Sequence, residues 1–422
     1  MKSAPTRDSA RRRTLQTLSV AQIVAGVGVA GAVPAGALLV YDISGNDALS
    51  GLAQTFAVTG AALMAIPLAR LTARGGRRLA VGVGYAIAAA GAFMAVAGGT
   101  MRFLPLMLLG TMCAGAGSAA AYQLRFAAVD LSLPEHRGRD LSIVMWAGTV
   151  GSVLGPNLLD WSGGNAKALG LPALVGPYLF SGTCVLVALA IMLTFLRPDP
   201  YLFAVELEGR DKPHPHRSLR HAIELIRASK QAQLAITAIV AGHIAMVSIM
   251  VMTPVHMQHY DATLRIIGLV ISVHILGMYA LSPVMGMLSD RWGRVNVIRL
   301  GVAILVASAI TSATASPHHS MQLGVGLFLL GLGWSATIVA GSTLLSESVS
   351  VADRPSIQGA SDLFMNGSGA VGGALAGVVI ATLGYTWLCV LALVPVAYLA
   401  MLAMRRDLSA SSSRVNSPRR RP

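Results

Sequence analysis

Two histidines interrupt long apolar stretches of this 422-residue chain. His243 and His274 each lie near the middle of such a stretch. In a helix, which rises about 1.5 Å per residue, each would be about 15 to 18 Å from the start of its stretch. A histidine changes its charge near physiological pH, so either residue is a candidate for binding a substrate or a coupling proton. The alternative is a neutral histidine that packs against a neighbouring helix through a hydrogen bond to a backbone carbonyl.

Another apolar stretch contains two polar residues four positions apart. Asp362 and Asn366 therefore share one face of a helix. Ionisable groups inside a membrane helix are costly and usually functional, so both residues are candidates for substrate or proton binding. The alternative for Asp362 is an ion pair with Arg125 or Arg139 near the membrane surface.

A polar cluster ends a further apolar stretch, where Gln123, Arg125 and Asp130 follow one another closely. Arg125 and Asp130 are five positions apart, which is too far round a helix for a good pair, so we expect at least one of them to contact another helix. Gln123 is also a candidate for the substrate or coupling site. Trp334 is another, because its ring could stack on an aromatic substrate, although packing between helices or against lipid is an equal alternative.

Sequence motifs of soluble enzymes are not found in the chain. There is no phosphate-binding loop for ATP hydrolysis, no HExxH zinc motif and no nucleophile motif. Cys113, Cys184 and Cys389 lie inside apolar stretches and form no spaced set, which predicts packing rather than a metal site or a disulfide framework. We expect no cofactor, no metal and no enzymatic activity.

The composition indicates a chain surrounded mainly by lipid, because 54% of the residues are hydrophobic and only 12% are charged. An average soluble domain carries about 25% charged residues. Stretches of about 20 apolar residues can cross a bilayer, and twelve occur here, at 17–41, 48–69, 79–99, 103–127, 141–160, 172–196, 231–257, 264–288, 296–316, 321–345, 357–383 and 385–404. The predicted fold is an all-α polytopic membrane protein of twelve transmembrane helices in two six-helix halves, at 1–197 and 231–407. A central linker at 198–230 joins them, and a disordered basic tail follows at 408–422.

The basic residues have a strongly uneven distribution along these predicted spans. If the N-terminus is cytoplasmic, all of the 32 Lys and Arg residues except Arg102, Lys167 and Arg265 fall in segments on the cytoplasmic side. This positive-inside pattern predicts a multi-pass protein of the cell (inner) membrane with both termini in the cytoplasm. It also explains the net charge of +14 without nucleic acid, which we do not expect as a partner.

An internal repeat relates the two predicted halves. The segments Leu71–Arg77 and Leu288–Arg294, after spans 2 and 8, share Leu, Arg, Gly and Arg at an offset of 217 residues. The same offset pairs Asp130 with Glu347, Arg137 with Arg354 and Gly155 with Gly372. Two repeats of equal topology are typical of transporters whose site lies near the midplane, between the halves.

The segment 286–294, with the sequence GMLSDRWGR, closely resembles the G-x-L-[ST/A]-D-R-x-G-R loop signature of the major facilitator superfamily. Gly148, Gly151, Gly155 and Pro156 in span 5 are similar to that superfamily's antiporter motif, but Leu158-Leu159 replaces its trailing glycines. The first loop copy also departs from the signature, with Ala69 for the leading glycine and Ala73 for the acid. The resemblance covers the whole chain and implies a twelve-helix secondary transporter that works by alternating access.

The resemblance also implies a gating role for the loop aspartate. Asp290 should face the start of span 5, near Arg137 and Arg139, because a helix N-terminus offers free N–H groups and a partial positive charge. Ala73 has no acid to offer the start of span 11, so we expect the contact to be one-sided. The gating candidates are Gly286, Asp290, Arg291, Gly293, Arg294, Arg74, Arg77, Gly155, Pro156, Arg125 and Asp130.

The function expected from the sequence is secondary active transport of a small molecule across the cytoplasmic membrane. Protons are the expected coupling ion, and the motif in span 5 slightly favours export by antiport. The alternatives are a proton-coupled uptake symporter, or a membrane sensor or scaffold with the same fold that does not transport. The expected partners are a small-molecule substrate, protons and the lipid bilayer, and we expect a monomer.

The orientation can be tested by labelling single cysteines in a chain whose native cysteines are replaced by serine. An impermeant thiol reagent outside intact cells should label Lys167→Cys and should not label Lys212→Cys, because the basic residues place position 212 inside. Labelling of position 212 alone would show that the orientation is inverted.

Overall fold

A computed structural model describes residues 6–45, 49, 52–208, 219–258, 264–315 and 320–404 of the chain. The described residues form α-helices joined by short connections and contain no strand. The helices are α1 (Arg7–Ser44), α2 (Leu52–Thr100), α3 (Leu104–Asp130), α4 (Arg137–Asn157), α5 (Leu159–Ala168), α6 (Gly176–Phe195), α7 (Pro200–Leu207), α8 (Leu219–Ala228), α9 (Lys230–Gln258), α10 (Leu264–Tyr279), α11 (Ser282–Trp292), α12 (Arg294–Ala313), α13 (Ser320–Glu347), α14 (Arg354–Leu383) and α15 (Tyr385–Ala403).

Ten helical segments in the described part of the chain are long and apolar enough to cross a membrane. Helix α2 covers two of the predicted spans in its 49 residues. The two parts meet at Gly76, whose backbone is not helical, with a φ of 84°. Helix α4 coincides with the predicted fifth span but is not among the ten. The all-α membrane fold is therefore confirmed, whereas the predicted count of twelve spans is not reached by this measure.

Gly76 has a counterpart in the second half of the sequence. Gly293, which lies 217 residues later, ends α11 and precedes α12 with a φ of 90°. Both values fall in the left-handed region, which glycine enters without a steric penalty. The repeated glycine in the two loop signatures is therefore explained by the backbone turn that it permits.

The predicted central linker contains two helices. Asp199 caps the first of these, α7, because its Oδ1 accepts hydrogen bonds from the backbone N–H groups of Tyr201 and Leu202. Tyr201 is fully buried in a hydrophobic cluster with Ala10 of α1, Leu131 directly after α3, and Val351 before α14. The second helix of the linker, α8, is amphipathic. Part of the linker thus packs as core.

The helices form two compact units, each of which contains segments from both predicted halves. Unit 1 comprises Met1–Ser132, Ile143–Ala222 and Ser350–Ala370. Unit 2 comprises Leu133–Ser142, Ile223–Val349 and Val371–Pro422. The first part of α14 therefore packs with the N-terminal sequence, and the first residues of α4 pack with the C-terminal sequence. The segments Leu133–Ser142 and Ser350–Ala370 make several of the polar contacts described below.

Small residues permit close contact between helices within unit 1. The Cβ of an added side chain at Gly91 on α2 would lie 2.6 Å from the backbone oxygen of Gly110 on α3. Near the start of α14, a Cβ on Gly359 would collide with the Cβ of Ala69 on α2 and lie 3.2 Å from the oxygen of Ala65. Ala69 occupies the place of the leading signature glycine, so the glycine that permits this contact is on the opposite helix.

Two glycines of α14 make a matched pair for testing this contact. An alanine in a helix interior is favoured over glycine by about 1 kcal/mol, so Gly367→Ala, which meets nothing within 4 Å, should raise the melting temperature in detergent. Gly359→Ala should lower it, because the new methyl group collides with α2. An equal rise in both variants would show that α2 and α14 are not in close contact at Gly359.

Candidate functional site

A buried ion pair joins α3 to α14. The Nη2 of Arg125 lies 2.6 Å from the Oδ1 of Asp362, and the two side chains are 4% and 2% exposed. The guanidinium also lies over the rings of Tyr122 and Phe126, at 5.4 and 4.7 Å from their centroids. One of the two partners expected for Asp362 is thus confirmed. Removing one member of a buried pair leaves an uncompensated charge and costs about 3 to 5 kcal/mol.

A second buried arginine connects three helices of unit 1. Arg77 on α2 is fully buried, and its Nε lies 2.8 Å from the Oδ2 of Asp130 on α3. Its Nη1 donates to the Oε1 of Gln123 at 2.6 Å, and its Nη2 donates to the Oε1 of Gln358 on α14 at 2.5 Å. A guanidinium has five N–H donors in a fixed plane, so one side chain can hold all three partners.

One amide connects these two ion pairs. Gln123 accepts from Arg77, and its Nε2 donates to the Oδ2 of Asp362 at 3.3 Å. We call the connected side chains Arg77, Gln123, Arg125, Asp130, Gln358 and Asp362 the buried polar cluster. The spacing of Arg125 and Asp130 predicted that at least one of them would contact another helix, and both do, with partners on α14 and α2.

A cavity of about 150 Å³ adjoins this cluster within unit 1. Asn366 lines it and donates to the backbone oxygen of Asp362 at 2.8 Å. Tyr122 also lines it and packs against Arg125. The described residues around the cavity include no charged side chain; they are Val29, Ala32, Ala53, Gln54, Ala57, Val58, Ala61, Ala88, Thr111, Ala114, Gly115, Ser118, Tyr122, Tyr178, Ser181, Val185 and Asn366.

Asp290 in unit 2 caps the start of α4. Its Oδ1 and Oδ2 accept hydrogen bonds from the backbone N–H groups of Gly138 and Arg139, both at 2.9 Å. Arg294 lies 3.1 Å from the same carboxylate. A Cβ on Gly138 would come within 2.6 Å of the oxygen of Gly286, so the glycines let the two backbones meet. The expected position of Asp290 is confirmed, while its role in gating stays a prediction.

The charged groups around the two loops are arranged as a structural repeat. Arg294 lies 2.9 Å from Glu347, and Arg137 approaches the same carboxylate at 3.5 Å. At the offset of 217 residues, Arg77 lies 2.8 Å from Asp130, which Arg354 approaches at 3.9 Å. The repeat detected in the sequence is therefore also a repeat of ion pairs.

The expectation of a one-sided contact is wrong in one respect. Ala73 is buried and offers no acid, as its residue type dictates. The start of α14 is nevertheless bound to α2, because Gln358 accepts from Arg77. A carboxylate also contacts this part of α2. It belongs to Asp199, the N-cap residue of α7, whose Oδ2 accepts from the backbone N–H of Arg78 at 2.8 Å. Neither residue was identified from the sequence, since nothing in either local pattern marks them.

The two histidines have different surroundings in unit 2. The Nδ1 of His274 is bonded to the backbone oxygen of Leu327 at 2.8 Å, and the residue is fully buried, which matches the packing alternative. The Nδ1 of His243 accepts from the indole N–H of Trp334 at 3.2 Å. Trp334 is 2% exposed and meets Tyr279 edge to face at 5.8 Å between ring centroids, so it packs between helices rather than against lipid.

The other gating candidates occupy different environments. Arg74 and Arg291, which correspond at the repeat offset, are both exposed. Gly155 on α4 touches α1, because an added Cβ would lie 2.8 Å from the backbone nitrogen of Gly31. The side chain of Pro156 lies outside the described part of the chain.

The contact of Asp290 with α4 predicts the effect of removing its charge. A carboxylate at a helix N-terminus contributes about 0.3 to 2 kcal/mol, so Asp290→Asn should shift the population towards an open contact by up to about thirtyfold. Spin labels at the exposed positions 135 and 292 would report longer distances in this variant. Asp42→Asn, which removes an exposed pair with Arg102, is the control. Identical distance distributions in Asp290→Asn and the parent would refute the capping role.

Comparisons with known proteins agree with this architecture. The uncharacterized MFS-type transporter YdeG of Bacillus subtilis is 36% identical, over 89% of this chain and 87% of that protein. The riboflavin transporter RfnT of Brucella anthropi is 27% identical, over 89% of this chain and 91% of that protein. The crystal structure of the human organic anion transporter MFSD10 (TETRAN) superposes with a TM-score of 0.74 and 16% identity, over 93% of this chain and 99% of that chain.

The sequence profile described as Major Facilitator Superfamily matches residues 18–266 and 234–421, which is nearly the whole chain. The duplicated loop signature and the helical fold agree with that match. The chain belongs to the major facilitator superfamily of membrane transporters.

Proposed function

We propose that this protein is a proton-coupled secondary active transporter that moves a small molecule across the cytoplasmic membrane by alternating access. The observation that carries the proposal is the position of Asp362, a buried acid paired with Arg125 at 2.6 Å. Asn366 lies one helical turn away and lines the cavity. A group able to bind a proton therefore lies beside a space able to bind a ligand.

Proton binding at Asp362 would change the balance of charge inside unit 1. An ionised Asp362 neutralises Arg125, whereas a protonated one leaves the guanidinium buried among Tyr122, Phe126 and Met365 without a counter-charge. An unpaired buried charge is strongly unfavourable. The proton therefore favours a different arrangement of α3 and α14, which is what coupling requires.

The cavity lining favours an uncharged substrate. Its polar groups are hydroxyls and amides, including Thr111, Ser118, Tyr178 and Asn366, and the remainder is mainly alanine and valine. A charged ligand would lose its hydration there without gaining a counter-ion. The volume of about 150 Å³ is comparable to a cavity that admits one benzene-sized ring. An amphipathic molecule with a flat ring and polar edges fits these properties.

Three further features complete the proposal. Export is slightly favoured by the motif around Gly155, and uptake symport is the alternative direction. We propose that the protein lies in the inner membrane as a monomer with both termini in the cytoplasm. A sensor or scaffold without transport is the second class of function, and the observation that favours it is Ala73, which replaces the acid of the loop signature.

Purified protein in liposomes with an imposed pH gradient tests the proposal. We expect substrate-dependent proton flux with a neutral solute that carries one aromatic ring, such as benzamide, and little flux with benzoate or benzylammonium, which are charged probes of similar size. The absence of flux with every solute in a broad panel would favour the sensor.

The coupling role of Asp362 predicts the behaviour of one conservative variant. Asp362→Asn keeps the shape of the side chain but cannot gain or lose a proton, so proton flux per substrate should fall at least about tenfold, on the scale of 1.4 kcal/mol per decade. Asp42→Asn should match the parent. Loss of coupling in His243→Gln together with retention in Asp362→Asn would assign the proton to the histidine instead.

A further inference from the structure

Gln123 has no freedom to choose the direction of its amide. Its first neighbour, Arg77, carries only donors, so the amide atom 2.6 Å from Nη1 must be the oxygen. Its second neighbour, ionised Asp362, carries only acceptors, so the amide atom 3.3 Å from Oδ2 must be the nitrogen. Each neighbour alone would fix the orientation, and the two agree.

When Asp362 is protonated, Arg77 and Asp362 no longer require the same orientation of the Gln123 amide. The neutral carboxyl has an O–H donor that needs an acceptor, but the two side chains that contact its oxygens, Arg125 and Gln123, both present N–H groups. Gln123 can offer its oxygen to Asp362 only by rotating its amide. The rotated amide would then present N–H to Arg77, where donor would face donor.

The same arginine holds the start of α14. Arg77 donates to Gln358 from Nη2, the nitrogen that also approaches Asp130 at 3.4 Å. Loss of the acceptor at Nη1 leaves a buried guanidinium N–H unsatisfied, which is costly. Arg77 can recover an acceptor only by moving, and any movement weakens its bond to Gln358.

The charged and titratable groups nearest to Asp362 lie on α2 and α3. Helix α3 contributes Arg125 and Tyr122, and helix α2 contributes Arg77 through Gln123. Asp130 and Arg354 lie one layer further, around Arg77. At the repeat offset, Gln123 corresponds to Ala340 and Asp362 to Met145. The second half of the sequence therefore keeps the loop ion pairs but lacks the amide and the acid.

We infer that Gln123 is a positioning residue that transmits the protonation state of Asp362 to the contact between Arg77 and Gln358. The inference rests on the proposed coupling role of Asp362. Through Gln123, protonation of Asp362 would weaken the contact that holds α14 to α2. All the residues involved lie in unit 1.

The test measures how this contact responds to pH. Spin labels are placed at Arg70, which is exposed on α2, and at Ser356, which is partly exposed on α14, after the native cysteines are replaced by serine. Distance distributions are recorded across a pH series for the parent, Asp362→Asn, Gln123→Met and Gln123→Asn. Methionine keeps the length of glutamine without its amide, and asparagine keeps the amide but is too short to bridge both partners.

The matched control is Gln322→Met on α13, which removes another bonded amide, one that donates to the oxygen of Thr311 and to Thr314. The parent and this control should shift towards longer distances on acidification. Asp362→Asn should not respond to pH. Both Gln123 variants should show a response smaller by at least about tenfold in the ratio of the two populations, equivalent to about 1.4 kcal/mol.

The outcomes separate this inference from the proposed function. A parental pH response in both Gln123 variants, with no response in Asp362→Asn, would overturn the role of Gln123 and leave the coupling role of Asp362 intact. A parental response in Asp362→Asn would overturn both. A second readout is the number of protons moved per substrate. This number should fall in both Gln123 variants, whereas a merely structural role of Gln123 would leave it unchanged.

Discussion

A carboxylate and a guanidinium buried in an apolar helix bundle are stable only together, because each alone would lose its hydration without compensation. The pair between Arg125 and Asp362 imposes this constraint on α3 and α14. The neighbouring pair between Arg77 and Asp130 imposes it on α2 and α3. Gln123 joins the two pairs, so no member of the buried polar cluster can change its charge or leave without affecting the others. A change in the cluster would also reach the cavity beside it, because Asn366 and Tyr122 line the cavity and contact Asp362 and Arg125.

The two loop signatures use different physics at equivalent positions. In unit 2, the carboxylate of Asp290 contacts the N–H groups at the start of α4 directly. In unit 1, where alanine stands in its place, the start of α14 is held by a neutral acceptor, Gln358, bonded to a buried arginine. The first arrangement depends on a partly exposed charge at a helix end. The second depends on a buried network, which contains the carboxylate that we propose as the proton-binding group. The asymmetry in the sequence therefore corresponds to two different ways of binding the start of a helix.

Much of this could be predicted from the sequence, and the reasons differ between residues. The position of Asp290 followed from the loop signature. Helix geometry predicted only that Arg125 or Asp130 would contact another helix, and the pair of Arg125 with Asp362 was one of two alternatives for that acid. The internal repeat identified which residues are equivalent, and the structure adds that equivalent charges make equivalent ion pairs. Gln358 and Asp199 could not be predicted, because a single amide or acid near a helix end has many possible partners and only the tertiary packing selects one. The cavity was equally hidden, because its walls are alanines and valines that look like ordinary core. The packing of His274 and of Trp334 was one of two alternatives, and burial decided between them.

The central claim is that Asp362 exchanges a proton within the buried polar cluster. Infrared difference spectroscopy on purified protein measures this directly, because a protonated carboxyl group and a carboxylate absorb at different frequencies. The account predicts that acidification of the wild-type protein produces a carboxyl band and removes a carboxylate band, and that both changes are absent in Asp362→Asn. Identical difference spectra for the two proteins, over the pH range in which proton-coupled transport operates, would contradict the account.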